Sequence, residues 1–379
     1  MNILIAPDSF KGSLSALKVA NAIETGINKV DSSINTLTLP LADGGEGTME
    51  AIIAATQGQK FTVNTVDALG RDISAAYGVT GNKKTAIVEL ATASGIDLID
   101  HQELNPAVTS TYGTGILIKD AIQRGIREIT ICLGGSATND GGTGLLKALG
   151  FNFKDEFGTV LDEGGLSLKN LHEIDDSEIL TELADCQFNI ACDVTNPFIG
   201  NHGASAVFGP QKGATPALVQ ALDQALEHFA DILQQKYAIS IHNVSGAGAA
   251  GGAAGGLYGC LNAQICSGFD VIAQTLNLNE LLSTKHIDLI LTGEGQLDAQ
   301  TDNGKVISGI SRYTNRYHIP TIALVGGIQN ISHTLYDNRV ISVFSIVNRP
   351  MSLSQSMESA ADLITKQTEQ IMRLYLSKS

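Results

Sequence analysis

Four times along this chain glycines cluster, three of the clusters carrying acidic or hydroxyl side chains, and that punctuation constrains the fold more than any other feature. The clusters read Ala42-Asp43-Gly44-Gly45-Glu46-Gly47-Thr48, Gly134-Gly135-Ser136-Ala137-Thr138-Asn139-Asp140-Gly141-Gly142, a Gly/Ala run from Gly246 to Gly256, and Thr292-Gly293-Glu294-Gly295-Gln296-Leu297-Asp298. Glycine lets a backbone turn sharply and brings bare N–H groups close to a ligand. Strand, glycine turn, helix is the rhythm of α/β folds, whose loops carry the chemistry.

Periodicity fills in the elements. Asn2 to Pro7 is a short apolar run, followed by Leu14, Leu17, Val19, Ala20, Ile23 and Ile27 at helical spacing. Leu37 to Leu41 repeats the strand, and Met49, Ile52 and Ile53 open a second helix. This βαβα order predicts parallel pairing with right-handed crossovers. After Gly58 the period changes to two: Phe61, Val63 and Thr65, then Ile73, Ala75, Tyr77 and Val79, alternate with other residues, and a Gly81 to Lys84 turn precedes Thr85 to Leu90. That alternation predicts half-buried antiparallel strands and a second domain. Ile129 to Leu133 and Phe188 to Cys192 read as further strands, and Pro216 to Tyr237 as a long helix. Near residue 286 the α/β rhythm resumes, with strands over Asp288–Leu291, Thr321–Val325 and Val340–Val347 and helices over Val306–Tyr317 and Met357–Leu376. The expected architecture is α/β: a discontinuous Rossmann-like domain of parallel strands over residues 1–60 and 286–379, with a mixed α/β domain, 61–285, inserted.

Composition narrows the partners. A formal net charge of −15 and the lack of any Lys/Arg cluster argue against nucleic acid and against anionic membrane surfaces. No stretch approaches the ~18 apolar residues of a membrane-spanning helix, and the first residues lack the basic start and long apolar stretch of a secretory leader. The five cysteines are odd in number and contain no C-x-x-C pair, so reduced thiols and a cytoplasmic location are expected. Whether the chain forms a homo-oligomer is left open.

Ligands of open parallel sheets lie beyond the carboxyl ends of the strands. Asp8, Ser9 and Lys11, the Asp43/Glu46 cluster and the Glu294/Asp298 cluster all fall there. Each carboxylate alone could cap a helix; several at equivalent strand ends point to a Mg²⁺ and hydroxyl site. Lys305 stands at a helix start, where a cation is unfavourable without an anion partner. The Gly134 cluster has the strand–loop–helix order that offers N–H groups to phosphate, yet no G-x-x-x-x-G-K-[ST] occurs. Thr138, Asn139 and Asp140 could hold Mg²⁺ or form an Asx turn. Gly246 to Gly251 spells G-x-G-x-x-G, but the residues before it make a poor strand and those after it look too glycine-rich for a sturdy helix. Asp193, in Cys192-Asp193-Val194-Thr195-Asn196-Pro197, ends a strand and is a candidate base or a buried-turn residue. The eight histidines form no metal-ligand spacing.

The runs Ala6-Pro7-Asp8-Ser9-Phe10-Lys11-Gly12-Ser13, Pro40 to Gly47, Gly134 to Gly142, Cys192 to Pro197, Gly209-Pro210-Gln211-Lys212-Gly213-Ala214 and Thr292 to Asp298 together resemble the bacterial type I glycerate kinases, in order and over almost the whole chain. The resemblance implies ATP-dependent phosphorylation of D-glycerate at the 2-hydroxyl, with the 3-hydroxyl as the alternative, on a flavodoxin-like domain with an inserted α/β domain and a cleft between them.

The site roles are read from the residues themselves. Backbone N–H groups around Gly134, Gly135, Ser136, Thr138 and Asn139, or those of Gly246 and Gly248, are expected to cradle the ATP phosphates. Asp43, Glu294 and Asp140 are the candidate Mg²⁺ ligands, Asp8 or Asp193 the base that takes the glycerate hydroxyl proton, and Lys11, Ser9 and Arg71 the groups that hold its carboxylate. Two rivals remain: an NAD(P)-dependent hydroxyacid dehydrogenase, resting on the Gly246 run, and a non-catalytic nucleotide-binding protein.

Overall fold

The computed structural model describes residues 1–297, 305–329 and 331–377, so Asp298 of the fourth glycine cluster lies outside the described residues. Contacts divide the chain into two compact units: Met1–Asp43, Glu50–Gln57 and Gly268–Ser379 form one, and Gly44–Met49 with Gly58–Ser267 form the other.

The first unit is built on a five-stranded parallel sheet in the order Val340–Ser345, Thr321–Ile328, Leu289–Leu297, Asn2–Ile5, Asn35–Thr38. Ile3 stands opposite both Leu289 and Thr36, which makes the Asn2–Ile5 run an interior strand and explains its near-continuous apolar character. On one face Ile3, Ile5, Leu289, Leu291 and Leu324 pack with Val19, Ile23 and Ile364; on the other, Leu297, Ala323 and Val325 pack with Ile307. Leu324 and Val325 thus point to opposite layers, as strand alternation requires. Helix Ala16–Asn28 starts where Ser15 accepts from the Lys18 N–H, and helix Ala360–Leu376 lies against it closely enough that Thr365 Oγ1 donates to Ala22 O at 3.0 Å.

The fourth glycine cluster is not a loop. Strand Leu289–Leu297 runs straight through Thr292-Gly293-Glu294-Gly295-Gln296, pairing with Thr321–Ile328, which likewise runs through Gly326-Gly327. The glycines are there for close approach: a Cβ on Gly293 would sit 2.3 Å from Leu324 O, and one on Gly326 2.4 Å from Gly295 O. Glu294 is therefore a strand residue, opposite Val325, and cannot be a helix cap.

The second unit holds a six-stranded mixed sheet in the order Gln264–Cys266, Gln187–Ala191, Glu128–Cys132, Thr85–Glu89, Asp72–Val79, Gln59–Val66. The last three strands are antiparallel to one another, as their alternation predicts, and the first four are parallel. Thr85–Glu89 belongs to both halves. Helix Pro216–Tyr237 begins at the Thr215 cap and ends with Ala238 in the left-handed region; its Phe229 packs on Phe153 and Phe198, with ring centres 5.9 and 6.2 Å apart.

The contacts return to the first unit at Gly268 rather than near residue 286. Helices Gly268–Thr275 and Leu278–Thr284 belong with the parallel sheet, where Phe269 meets Tyr313 with ring centres 5.8 Å apart. No composition change marks that crossing. Ala253–Leu261 is a helix in spite of its glycines, because they are its packing surface: a Cβ on Gly256 would lie 2.0 Å from Gly141 O, and one on Gly255 2.4 Å from the Phe198 ring. Tertiary contact overrides the weak propensity. Among the described residues, no helix is long and apolar enough to cross a membrane.

Candidate active site

The carboxyl edge of the parallel sheet carries the first unit's acidic residues. The chain leaves strand Asn2–Ile5 through Ala6-Pro7, held by the Thr292 hydroxyl donating to Ala6 O and by the Asp8 N–H donating to Gly293 O, both at 2.8 Å. Asp8 is thereby pinned beside the strand that bears Glu294. Both carboxylates are buried, at 7% and 4% exposure. Asp43, which follows the Asn35–Thr38 strand, completes the group and accepts from Lys11 Nζ at 3.4 Å. Burial, and then the neighbouring Asp43 and Glu294 charges, push the Asp8 carboxyl up to about 7, against the Ser9 N–H and Lys11 that favour its ionised form. Asp8, Ser9, Lys11, Asp43 and Glu294 line one cavity of about 610 Å³, with Lys305 on its wall. The structure therefore brings together six of the residues singled out in sequence, all from one unit.

In the second unit the Gly134 cluster does two different things. Gly134 and Gly135 are exposed at the end of strand Glu128–Cys132, with Gly135 at φ +73°. Beyond them the loop dives into the core. Thr138, Asn139 and Asp140 are completely buried. The Asp140 carboxylate accepts from the Thr111 N–H and hydroxyl at 2.8 Å, from the Gly142 N–H at 3.1 Å and from the Gly144 N–H at 3.2 Å. Asp140 thus ties down the start of helix Thr143–Ala148, and its Oδ1 closes an Asx turn with the Gly142 N–H, the alternative to a Mg²⁺ ligand that the sequence offered. Asn139 Nδ2 donates to Ser205 Oγ at 2.9 Å, while Thr138 Oγ1 and Asn139 Oδ1 are buried with no hydrogen-bond partner among the described residues.

Gly246 and Gly248 are buried as well. A Cβ on Gly248 would lie 2.3 Å from Pro197 O, and one on Gly251 2.0 Å from Thr138 O. The G-x-G-x-x-G run is packed backbone against backbone, so it presents no open cradle to a dinucleotide. Arg71 is engaged by Asp67 at 2.5 Å and Glu103 at 2.9 Å, within the second unit. Asp193 is exposed, two residues past strand Gln187–Ala191.

Lys212 lies outside the residues whose spacing marks them as site candidates. It is 1% exposed, and its Nζ donates to Ser136 Oγ at 2.9 Å and to Thr138 O at 2.6 Å. Burial drives its amine down to about 7, opposed by the Asp140 charge. A single lysine in Gln211-Lys212-Gly213 has no periodic or spacing signature, so only the fold reveals it.

A parallel-sheet unit whose carboxyl edge gathers buried carboxylates around a ligand-sized cavity has the layout of an α/β enzyme's ligand site. The family model described as "Glycerate kinase family" matches residues 3–376. Glycerate 2-kinase of Escherichia coli K12 is 41% identical over 371 residues, covering 98% of this chain and 97% of that one. A glycerate kinase of Halalkalibacterium halodurans is 40% identical over 97% of both chains. A crystal structure from Salmonella typhimurium LT2, provisionally named glycerate kinase 2, superposes with a TM-score of 0.91 at 39% identity, over 100% of this chain and 99% of its own. The chain belongs to the glycerate kinase family.

Proposed function

We propose that the protein transfers the γ-phosphoryl group of ATP to the 2-hydroxyl of D-glycerate, giving 2-phosphoglycerate and ADP. The observation that carries this reading is the Asp8 carboxyl, buried among Asp43 and Glu294 on the sheet edge of a chain so closely related to glycerate kinases. A general base works best when its pKa lies near the operating pH, and Asp8 meets that condition. Asp193, exposed as it is, lacks the burial that tunes Asp8.

In this reading Asp8 accepts the hydroxyl proton as the oxygen attacks phosphorus, and Lys11, a 69% exposed cation on the cavity lining beside Asp43, attracts the glycerate carboxylate or a phosphate. The exposed Gly134–Gly135 backbone is the remaining part of the second glycine cluster able to offer N–H groups to an anion. The donor set of Asp43 and Glu294 is all hard oxygen, which suits Mg²⁺. Among the described residues no three His, Cys, Asp or Glu side chains form a ready cage, and Mg²⁺ commonly takes only one or two carboxylates, with waters and substrate phosphates supplying the rest. When bound, the ion would offset the charge on the phosphate oxygens. None of the five cysteines forms a disulfide, which fits a reducing cytoplasm.

The test is an ADP-release assay with D-glycerate, followed by NMR of the product. ADP formed only with glycerate, and phosphate on the 2-oxygen, is expected. No ADP release overturns the kinase reading; phosphate on the 3-oxygen overturns the regiochemistry.

A further inference from the structure

We propose that the apolar wall of the first unit's cavity is the seat of the nucleotide base, so that ATP lies across the carboxyl ends of the parallel strands with its phosphates toward Asp8, Asp43 and Glu294. This rests on the kinase reading above. Three observations carry it.

The first is size. At roughly 30 Å³ per water-sized group, a cavity of about 610 Å³ takes roughly twenty such groups. Glycerate, with about seven heavy atoms, would fill about a third of it by the same measure, and the remainder is the size of a purine ring of about ten heavy atoms.

The second is the division of the lining. The sheet order places Glu294 in strand Leu289–Leu297, and Asp8 and Asp43 just beyond the carboxyl ends of the next two strands, Asn2–Ile5 and Asn35–Thr38. Val347, Met351, Leu353 and Met357 line the same cavity from the segment that follows the opposite edge strand, Val340–Ser345. Leu353 is 77% exposed at the first position of helix Leu353–Glu358, which is fixed by a Ser352–Gln355 capping box. Its helix is tied to the Lys11 turn by Ser13 Oγ donating to Met357 O at 2.7 Å. A rigid helix that presents leucine and methionine toward a cavity offers an aromatic ring a flat apolar bed.

The third is the floor between the two ends. Thr321–Ile328 is the strand that separates them, and it passes through Gly326-Gly327 near its carboxyl end. Gly326 has no room for a Cβ, but one on Gly327 would meet nothing within 4 Å. Packing therefore does not require glycine at 327. Its missing side chain leaves the passage from the apolar wall to the acidic edge smooth.

Gly327→Val and Leu353→Glu test this, since the first adds bulk in open space and the second charges an exposed position; thermal unfolding close to that of the unaltered protein checks each fold. ADP affinity by calorimetry and steady-state KM values for ATP and glycerate are the readouts. A tenfold or greater weakening of ADP binding and rise in ATP KM in both variants, with glycerate KM within about twofold, is expected. Adenosine alone should compete with ATP in the unaltered enzyme and lose that competition in Leu353→Glu. Unchanged ADP affinity in both variants, or a rise confined to glycerate KM, overturns the base seat while leaving the kinase reading in place. An unaltered protein that releases no ADP with glycerate fails the kinase reading instead.

Discussion

Lys212 and Ser136, 76 residues apart in sequence, meet inside the second unit through a 2.9 Å hydrogen bond from Nζ to Oγ, and the same amine donates to Thr138 O. One buried cation thus spans the point where the Gly134 cluster passes from exposed turn to core. Asp140 anchors the next turn through four donors. The cluster that looked like a ligand loop is half loop and half keystone.

Lys212→Met should keep the volume and remove the bridge, leaving a carbonyl and a hydroxyl without their donor. Loss of about 1–3 kcal/mol is expected for stranding buried polar groups, read as a lower denaturation midpoint. The pH dependence supplies a sharper readout. Burial lowers the native Lys212 amine from 10.5 to about 7. Between those values the unfolded chain binds a proton that the native protein does not, so this group makes stability rise with pH from about 7 upward. Below 7 both states are charged and its burial penalty is fully felt. The slope of stability between pH 7 and 9 should flatten in Lys212→Met; an unchanged slope would show that Lys212 is not the group responsible.

The Gly246–Gly256 run predicts a contrast between two kinds of glycine. Gly256→Ala would drive a Cβ to 2.0 Å from Gly141 O, and overpacking of that sort typically costs 1–3 kcal/mol, occasionally more. Gly327→Ala, with open space around its Cβ, should unfold within about 0.5 kcal/mol of the unaltered chain, as substitutions away from packed features do. Thermal melts of the pair decide it. Equal stability of the two variants would mean that the run is looser than its contacts indicate.

These glycines also show where the sequence was legible. Apolar runs and a change of period gave the five parallel strands and the antiparallel hairpins, since both signals come directly from which faces are buried. The acidic strand ends were readable because strand ends in such sheets face one side. What could not be read was the use of glycine. Gly293 and Gly326 continue strands, Gly256 packs a helix, and Gly135 turns a loop. In every case the sequence shows only a residue without a side chain, and its neighbour across the fold decides the role. Lys212 was obscure for a related reason: a buried charge is identified by its partners, which here lie far away along the chain.

Asp8 carries the last prediction. Its carboxyl is held near 7 by burial first, then by Asp43 and Glu294. As the base it must be ionised, so kcat/KM should rise with pH through about 7 and level off above. Asp43→Asn removes the stronger-acting of the two like charges and a candidate Mg²⁺ ligand together, so turnover should fall while the acid limb of the residual activity moves to lower pH. Asp8→Asn should lower turnover by about 10²–10⁴, the range for loss of a general base, and abolish the limb. The same group leaves a trace in stability. Its native pKa is raised from 3.8, so between about 4 and 7 the folded protein binds the extra proton and stability falls as pH rises through that window. Above 7 the ionised carboxylate remains buried at full cost, and Asp8→Asn, which keeps an Oδ1 for the Ser9 N–H, should melt higher than the unaltered protein at pH 8. A variant that loses activity and gains stability together would mark Asp8 as a group kept for chemistry; one that loses both would mark it as a structural carboxylate, and the base would have to be sought elsewhere.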